Sequence, residues 1–367
     1  ISVVSQAQKK SNEENANYAN QLKQKYSKSS AIILKVDKTF DFSIEKDQVK
    51  VKESSNEEIM SLRYNGELRR SIFYDINSTI SDNKVRSEKN KVLKIVPTCG
   101  NYQLDDVFYS DLMICVYPFS FINLGEIKKF EYIKTINDIR YLTSLYFNDD
   151  YPVKSCNYTF NVPSWLDVEF KEINCTNFKI EKKITKDAKK GLTTYNFSVS
   201  DLDEFLQEPN SFEISHTYPH ILVIAKSFVD KEGKKNNIIG NIKDLYGWCY
   251  QLASQLKNDN AVIKPTVDKL IAISKTDLDK IKSIYYWVQD NIRYIAFENG
   301  IAAYKPAEAA DVFKKKYGDC KGMANLTKSM LKLAGFDARL AWIGTSSIPY
   351  DYSIPSLAIN NHMICCV

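Results

Sequence analysis

The run Tyr317-Gly318-Asp319-Cys320-Lys321-Gly322 constrains this chain more than any other. It sets a cysteine where a loop turns into a helix. Behind it Met323, Leu326, Thr327, Met330, Leu331 and Ala334 recur at helical spacing, and Gly335 supplies a C-terminal stop. The first amides of a helix lack internal partners and carry partial positive charge. A thiol there is favoured as the thiolate, the nucleophilic form. Ala338–Ile343 then reads as a strand, 344–356 as a surface loop rich in Ser, Pro and Tyr, and His362–Val367 as a second, buried strand. His362 stands 42 residues after the cysteine and can serve it as base and acid.

Nucleophile at a helix start, helix, strand, loop and histidine on a strand is a papain-type order. The motif Tyr-Gly-Asp-Cys-Lys-Gly, the preceding Trp287-Val288-Gln289-Asp290-Asn291-Ile292-Arg293-Tyr294, the segment from Glu298-Asn299-Gly300-Ile301 to Tyr304-Lys305-Pro306, and Asn360-Asn361-His362 resemble the bacterial transglutaminase-like cysteine hydrolase core. The resemblance covers roughly residues 240–367. It implies Cys320 as nucleophile, His362 as its partner, and an acid on the next strand that orients the histidine. It implies no cofactor. No acid follows His362 before Val367, so either the third member lies in polypeptide beyond that residue, the favoured reading, or the triad has been lost. A chain ending inside an apolar strand leaves a sheet edge incomplete.

Other chemical candidates are weaker. Asp319 holds the loop but is no activator, because a carboxylate beside a thiolate raises the thiol pKa. Gln289 and Glu298 are candidates for an oxyanion donor or substrate contact. The economical oxyanion hole is the Cys320 amide plus one further donor that the sequence does not name. A zinc set from His362, Cys365 and Cys366 fails on pleat geometry. Cys365 faces away from His362, and Cys366 is about 13 Å from it. No metal site is expected. His216 and His220 flank Thr-Tyr-Pro and read as turn residues.

Composition fits a folded chain of two or more domains: 367 residues, 44% hydrophobic, net charge +5. The charges are interspersed, so Lys9-Lys10 and Lys234-Lys235 read as solvated faces and no nucleic acid is expected. No stretch reaches the apolar length of a membrane span. Ile1–Ala7 matches the tail of a secretory signal peptide, which places the protein outside the cytoplasm, periplasmic or at the cell surface. The eight cysteines are irregularly spaced and read mostly as single buried thiols, with Cys156 and Cys175 the pair to test first.

The fold expected is α+β, in four parts. Residues 1–29 hold the signal-peptide remnant and a polar helix over 12–26 that leans on the next domain. Residues 30–228 form a β-rich domain of antiparallel, sandwich-like sheets, from strands such as Ala31–Val36, Thr39–Ile44, Leu112–Tyr117, Asn157–Val162, Thr194–Val199 and Ile221–Ala225. A helix interrupts it near Ile136–Phe147. Its order resembles the uncharacterised β-rich domain that precedes transglutaminase-like cores in exported bacterial proteins. Residues 229–240 read as a linker and 241–367 as the core. In the core, Ile242, Leu245, Cys249, Leu252 and Leu256 make one helical face. Ile281, Ile284, Tyr285, Val288 and Ile292 make another, N-capped by Thr276. Two functions follow. One is thiol-dependent acyl transfer on a peptide, protein or amide-bearing substrate, as hydrolysis or transamidation. The other is a binding or scaffold protein whose β-rich domain docks a partner protein and whose cysteine core is vestigial.

Overall fold

The computed structural model describes residues 2–103, 109–206, 211–298 and 300–367, with backbone alone for 2–11 and 297–298. The chain forms two compact units. The first runs to Gly100 and resumes over Met113–Gly240; the second is Asn101–Leu112 with Asn241–Val367.

The first unit is built on an eight-stranded sheet. In spatial order its strands are Glu181–Asp187, Leu192–Leu202, Val153–Pro163, Ala31–Glu45, Gln48–Ser61, Ile127–Ile136, Ser78–Ser87 and Val92–Leu93. Ala31–Glu45 and Val153–Pro163 pair in parallel, and the other neighbours are antiparallel. Alternation sends Val49, Val51 and Ile59 of one strand inward while Gln48, Lys52 and Asn56 stay exposed. Two smaller sheets share this core. Phe170 of Leu166–Ile173 packs on Phe160 at 4.3 Å between centroids, and Tyr117 of Met113–Phe121 packs on Phe130 at 4.8 Å. Fully burying such a ring contributes roughly 1.5–3 kcal/mol relative to leaving it in water.

The inner face also carries charge. Arg70 donates to Glu57 at 2.8 Å and to both oxygens of Asp149 at 2.7 and 2.9 Å, while the Lys38 ammonium lies 2.9 Å from Glu53. Burial alone would raise the Glu53 and Asp149 carboxyls. The Lys38 and Arg70 charges outweigh it and hold both below the ordinary range.

Several sequence expectations meet a different structure here. The N-terminal helix is longer than 12–26, spanning Ser2–Lys25. Residue 1 and the side chains of 2–7, where the leader remnant was expected, lie outside the described residues. Ala19, Leu22 and Tyr26 do pack on Ile32, Met60, Leu62 and Leu124. The segment Ile136–Phe147 is not an α-helix but a single 3-10 turn, Ile139–Tyr141, followed by the strand Ser144–Tyr146. The residues 229–240 hold a hairpin rather than a free tether. Val229 pairs with Lys235, and the Asp230 side chain accepts from the Glu232 and Lys234 amides. His220 is no turn residue: it opens the strand His220–Val229 with no exposed surface. Its Nδ1 lies 2.8 Å from the Tyr218 carbonyl and its ring stacks on Tyr146. Cys156 and Cys175 are free; the disulfide joins Cys99 and Cys115, on the neighbouring strands Thr98–Asn101 and Met113–Phe121. The short polar strand around Cys99 gave no alternation from which to read that neighbour.

In the second unit the helices Ile242–Ser254, Lys264–Ala272, Asp277–Asn291, Ala309–Lys315 and Cys320–Leu333 surround a core of Val267, Ile284, Val288, Val312, Leu326 and Met330. Thr276 caps its helix as expected, in a reciprocal box with Asp279. Tyr285, expected on the apolar face, is exposed instead. The segment 101–112, expected in the β-rich domain, belongs to this unit. Tyr109–Ser110 pairs in parallel with Phe297–Glu298, and the Asp111 carboxylate accepts from the Gly300 amide at 3.1 Å. Among the described residues no helix is long and apolar enough to cross a membrane.

Two predictions follow from the first unit. The Cys99–Cys115 bridge spans 16 positions of sequence. Replacing both cysteines by serine should cost about 2–3 kcal/mol, the scale for a loop of that length. Urea unfolding of the two proteins checks this, and coincident curves would show that the bridge restrains nothing. Burial holds the His220 pKa below its ordinary 6.5. A base lowered on folding takes its proton more readily when unfolded. Stability is therefore full above the unfolded pKa and falls as pH drops from about 6.5 toward the folded value. Melting temperatures from pH 7.5 to 5 should decline less steeply in His220→Phe.

Candidate functional site

Cys320 is the first residue of the helix Cys320–Leu333. The chain reaches it through Lys316, which closes the preceding helix at φ +62, and a two-residue strand, Tyr317–Gly318. The Asp319 side chain caps the new helix by accepting from the Gly322 amide at 2.8 Å. Its second oxygen lies 2.5 Å from the Lys321 ammonium, and Lys321 is 2% exposed. The two glycines of the motif pack tightly under Val312. A Cβ on Gly318 would stand 3.1 Å from Val312 Cγ1, and one on Gly322 would stand 3.1 Å from Val312 Cγ2. Deeper in the helix, buried Asn325 donates to the Asn258 side chain at 2.8 Å and to the Ala307 carbonyl at 2.9 Å. Glu308 accepts from the Lys257 and Asn258 amides. These bonds fasten two loops to the Cys320 helix.

The residue that sequence reasoning missed is Tyr294. The strand Arg293–Tyr294 lies parallel to Tyr317–Gly318, with Tyr294 opposite Gly318. The Arg293 amide donates to the Lys316 carbonyl, and the Ile295 amide to that of Gly318. This register brings the Tyr294 hydroxyl against both the thiol and the amide of Cys320. Burial, then the Cys320 and Asp319 charges, push its pKa up to about 12, so it holds its proton at neutral pH. The residue is 52% exposed as a whole, so the burial acts at its hydroxyl end. Tyr294 stood in the sequence directly after the helix that carries Trp287. What could have singled it out was only its place at the start of an extended pair.

His362 opens the strand His362–Cys366, which pairs antiparallel with Arg339–Ile343 and packs along the nucleophile helix. Lys328 of the helix and Cys365 of the strand act on each other's charge. Alternation turns Met363 and Cys365 toward the helical core, and half-buried His362 toward the other face. Among the described residues no hydrogen bond joins the His362 ring to Cys320.

Gln289 is exposed on the helix Asp277–Asn291, and the Glu298 side chain lies outside the described residues. Trp287 is wall: it stacks on Phe313 at 5.2 Å with the Lys316 ammonium over its ring. A cavity of about 370 Å³ adjoins the nucleophile loop, lined by Ile295, Ile301, Pro306, Val312, Gly318 and Asp319. Among the described residues no group of three His, Cys, Asp or Glu side chains is placed to hold a metal ion. The remaining thiols differ in setting. Burial pushes Cys156 up to about 12, and Cys175, Cys249 and Cys365 up to about 11.

Sequence profiles match at two places: the Transglutaminase-like superfamily over residues 264–347, and DUF3857, a domain of unknown function with a solved structure, over residues 79–205. No curated protein sequence matches the chain. Among solved structures, a "putative protease" from Parabacteroides distasonis superposes with a TM-score of 0.65 at 16% identity. The match covers 92% of this chain and 65% of that one, so this chain spans about two thirds of that protein's length. A "putative nutrient binding protein" from Legionella pneumophila gives a TM-score of 0.30 at 11% identity, over 83% of this chain and 94% of that one, too low to carry an argument. The histidine strand lies beyond the profile match, but Cys320 and its loop, helix and neighbouring tyrosine fall inside it. The chain thus carries a match to DUF3857 followed by a match to the Transglutaminase-like superfamily.

Proposed function

We propose that the second unit performs thiol-dependent acyl transfer on a peptide or carboxamide carbonyl. The observation that carries this reading is the capped helix start at Cys320 with a protonated tyrosine hydroxyl against its thiol and amide. Cys320 attacks the carbonyl carbon, the carbonyl π pair moves to oxygen, and His362 passes its proton to the leaving amine. The thioester then goes to water or to a second amine. The Cys320 amide and the Tyr294 hydroxyl are the donors for the developing oxyanion. In the resting site the hydroxyl occupies the place that oxyanion would take, so substrate displaces it sideways. His362 is the group assigned to proton transfer, and its bond to the thiol forms with substrate in place, since catalytic hydrogen bonds tighten in the bound complex. The apolar cavity beside the loop takes the side chain next to the scissile carbonyl.

An exported location belongs to the same proposal. The Cys99–Cys115 bridge is of the kind that persists in oxidising compartments.

Brief iodoacetamide labelling of native protein at pH 7, read by mass spectrometry, should modify Cys320 well before Cys156, Cys175, Cys249 and Cys365, whose protons burial retains. Peptide-amide turnover should vanish in Cys320→Ala and fall at least 100-fold in His362→Ala. Labelling led by Cys249, or turnover that survives Cys320→Ala, would remove Cys320 as the nucleophile; absence of turnover in the wild type would leave the scaffold reading in place. Tyr294→Phe separates two roles for the hydroxyl. As an oxyanion donor its loss lowers kcat about 100-fold with KM little changed. As a mere cover on the thiol its loss would raise kcat/KM.

A further inference from the structure

We propose that Lys321 is a positioning residue for the nucleophile. Its buried ammonium cancels the Asp319 carboxylate, so that Asp319 caps the helix without placing net negative charge beside the Cys320 thiolate. The proposal rests on Cys320 being the nucleophile.

Asp319 is 9% exposed and uses one oxygen on the Gly322 amide. That bond orients the first turn and with it the thiol. The same carboxylate is one residue from the sulfur, and a like charge at that range raises a thiol pKa by one unit or more. Serine or asparagine would cap equally well with no charge. What makes aspartate tolerable is the next residue but one. Lys321 is 2% exposed, and a charge so buried needs a counter-charge beside it. Its recorded ion pair is with Asp319 Oδ2 at 2.5 Å.

The other titratable groups around Cys320 do not supply this compensation. Tyr294, from the neighbouring strand, is a neutral hydroxyl at pH 7. Asp311 and Lys315, which line the adjoining cavity with Asp319, lie 3.9 Å from each other. His362 is the base of the proposed reaction and makes no described hydrogen bond to Cys320. Lys328 and Cys365 lie about 12 Å down the helix. Among the described residues the ion pair made by Asp319 is thus the one with Lys321.

The test is the rate of Cys320 alkylation by iodoacetamide against pH in the full chain, a readout independent of turnover. Lys321→Met leaves Asp319 uncompensated. It should move the thiol profile up by about one pH unit and slow labelling at pH 7 about five- to tenfold. Asp319→Asn combined with Lys321→Met removes both charges and keeps a capping side chain, and should label within about twofold of wild type. A wild-type profile in Lys321→Met overturns the proposal. So does a double variant as slow as the single one, which would mean that Lys321 acts by packing or directly on sulfur. If Lys321→Met fails to fold by circular dichroism, the double variant decides alone: a wild-type profile supports the proposal and a slowed one overturns it. A wild-type Cys320 that labels no faster than exposed Cys366 would sink the nucleophile reading as well. Aberrant variants on a reactive wild type sink only this one.

Discussion

The bond from the Gly322 amide to the Asp319 carboxylate is the constraint on which the candidate site depends. A helix start has unpaired amides that something must accept. Here the acceptor is the residue immediately before the cysteine, so the cap and the orientation of Cys320 are one feature. Moving the cap by one residue would rotate the thiol by about 100° around the helix axis. It would then face the packed side instead of Tyr294. The helix body supplies the leverage. Leu326 and Met330 are fully buried, and Asn325 is bonded to two loops, so the first turn cannot shift without disturbing the core.

Val312 sets the second constraint. Its two methyls stand over Gly318 and Gly322, closing the space a Cβ would need. The turn can therefore approach the helix Ala309–Lys315 closely, and Lys316 takes a left-handed conformation to make the reversal. The extended pair Tyr317–Gly318 with Arg293–Tyr294 is short because the chain must curl into a helix two residues later. Two parallel residues bind weakly alone. They hold because both ends run into elements anchored in the core, Asp277–Asn291 on one side and Cys320–Leu333 on the other.

Much of this was legible in the residues. Helical spacing behind Cys320 located its helix, and Thr276 and Gly335 marked boundaries by side-chain capping and by a φ of +92. Alternation located most of the large sheet. What stayed illegible was non-local. The Cys99–Cys115 contact joins a strand of four residues to one of nine, and four residues carry too little pattern to name a partner. The segment 101–112 joins the second unit through a two-residue pair with Phe297–Glu298, some 190 positions away. His220 looked like a turn residue because Pro219 precedes it, yet proline before a strand start is permitted, and the run Ile221–Ala225 draws the ring inward. Short helices such as Ala309–Lys315 were missed because seven residues complete scarcely two turns.

Tyr294 was illegible for a related reason, and its chemistry shows what the layer geometry adds. A tyrosine near the end of an amphipathic helix has no marked role in one sequence, since 23 tyrosines are scattered along the chain. Only the parallel register opposite Gly318 brings its hydroxyl to the thiol and amide of Cys320. The two halves of the candidate reaction then draw on different elements. Attack and oxyanion stabilisation use the helix start and the tyrosine strand, which the packing around Val312 holds together. Proton transfer uses His362, carried on a strand whose pleat faces the other way. In the proposed reaction the electrostatic part of the barrier is set by the fold around Cys320 and Tyr294, and the proton-transfer part by how closely the His362 strand brings its imidazole to the thiol.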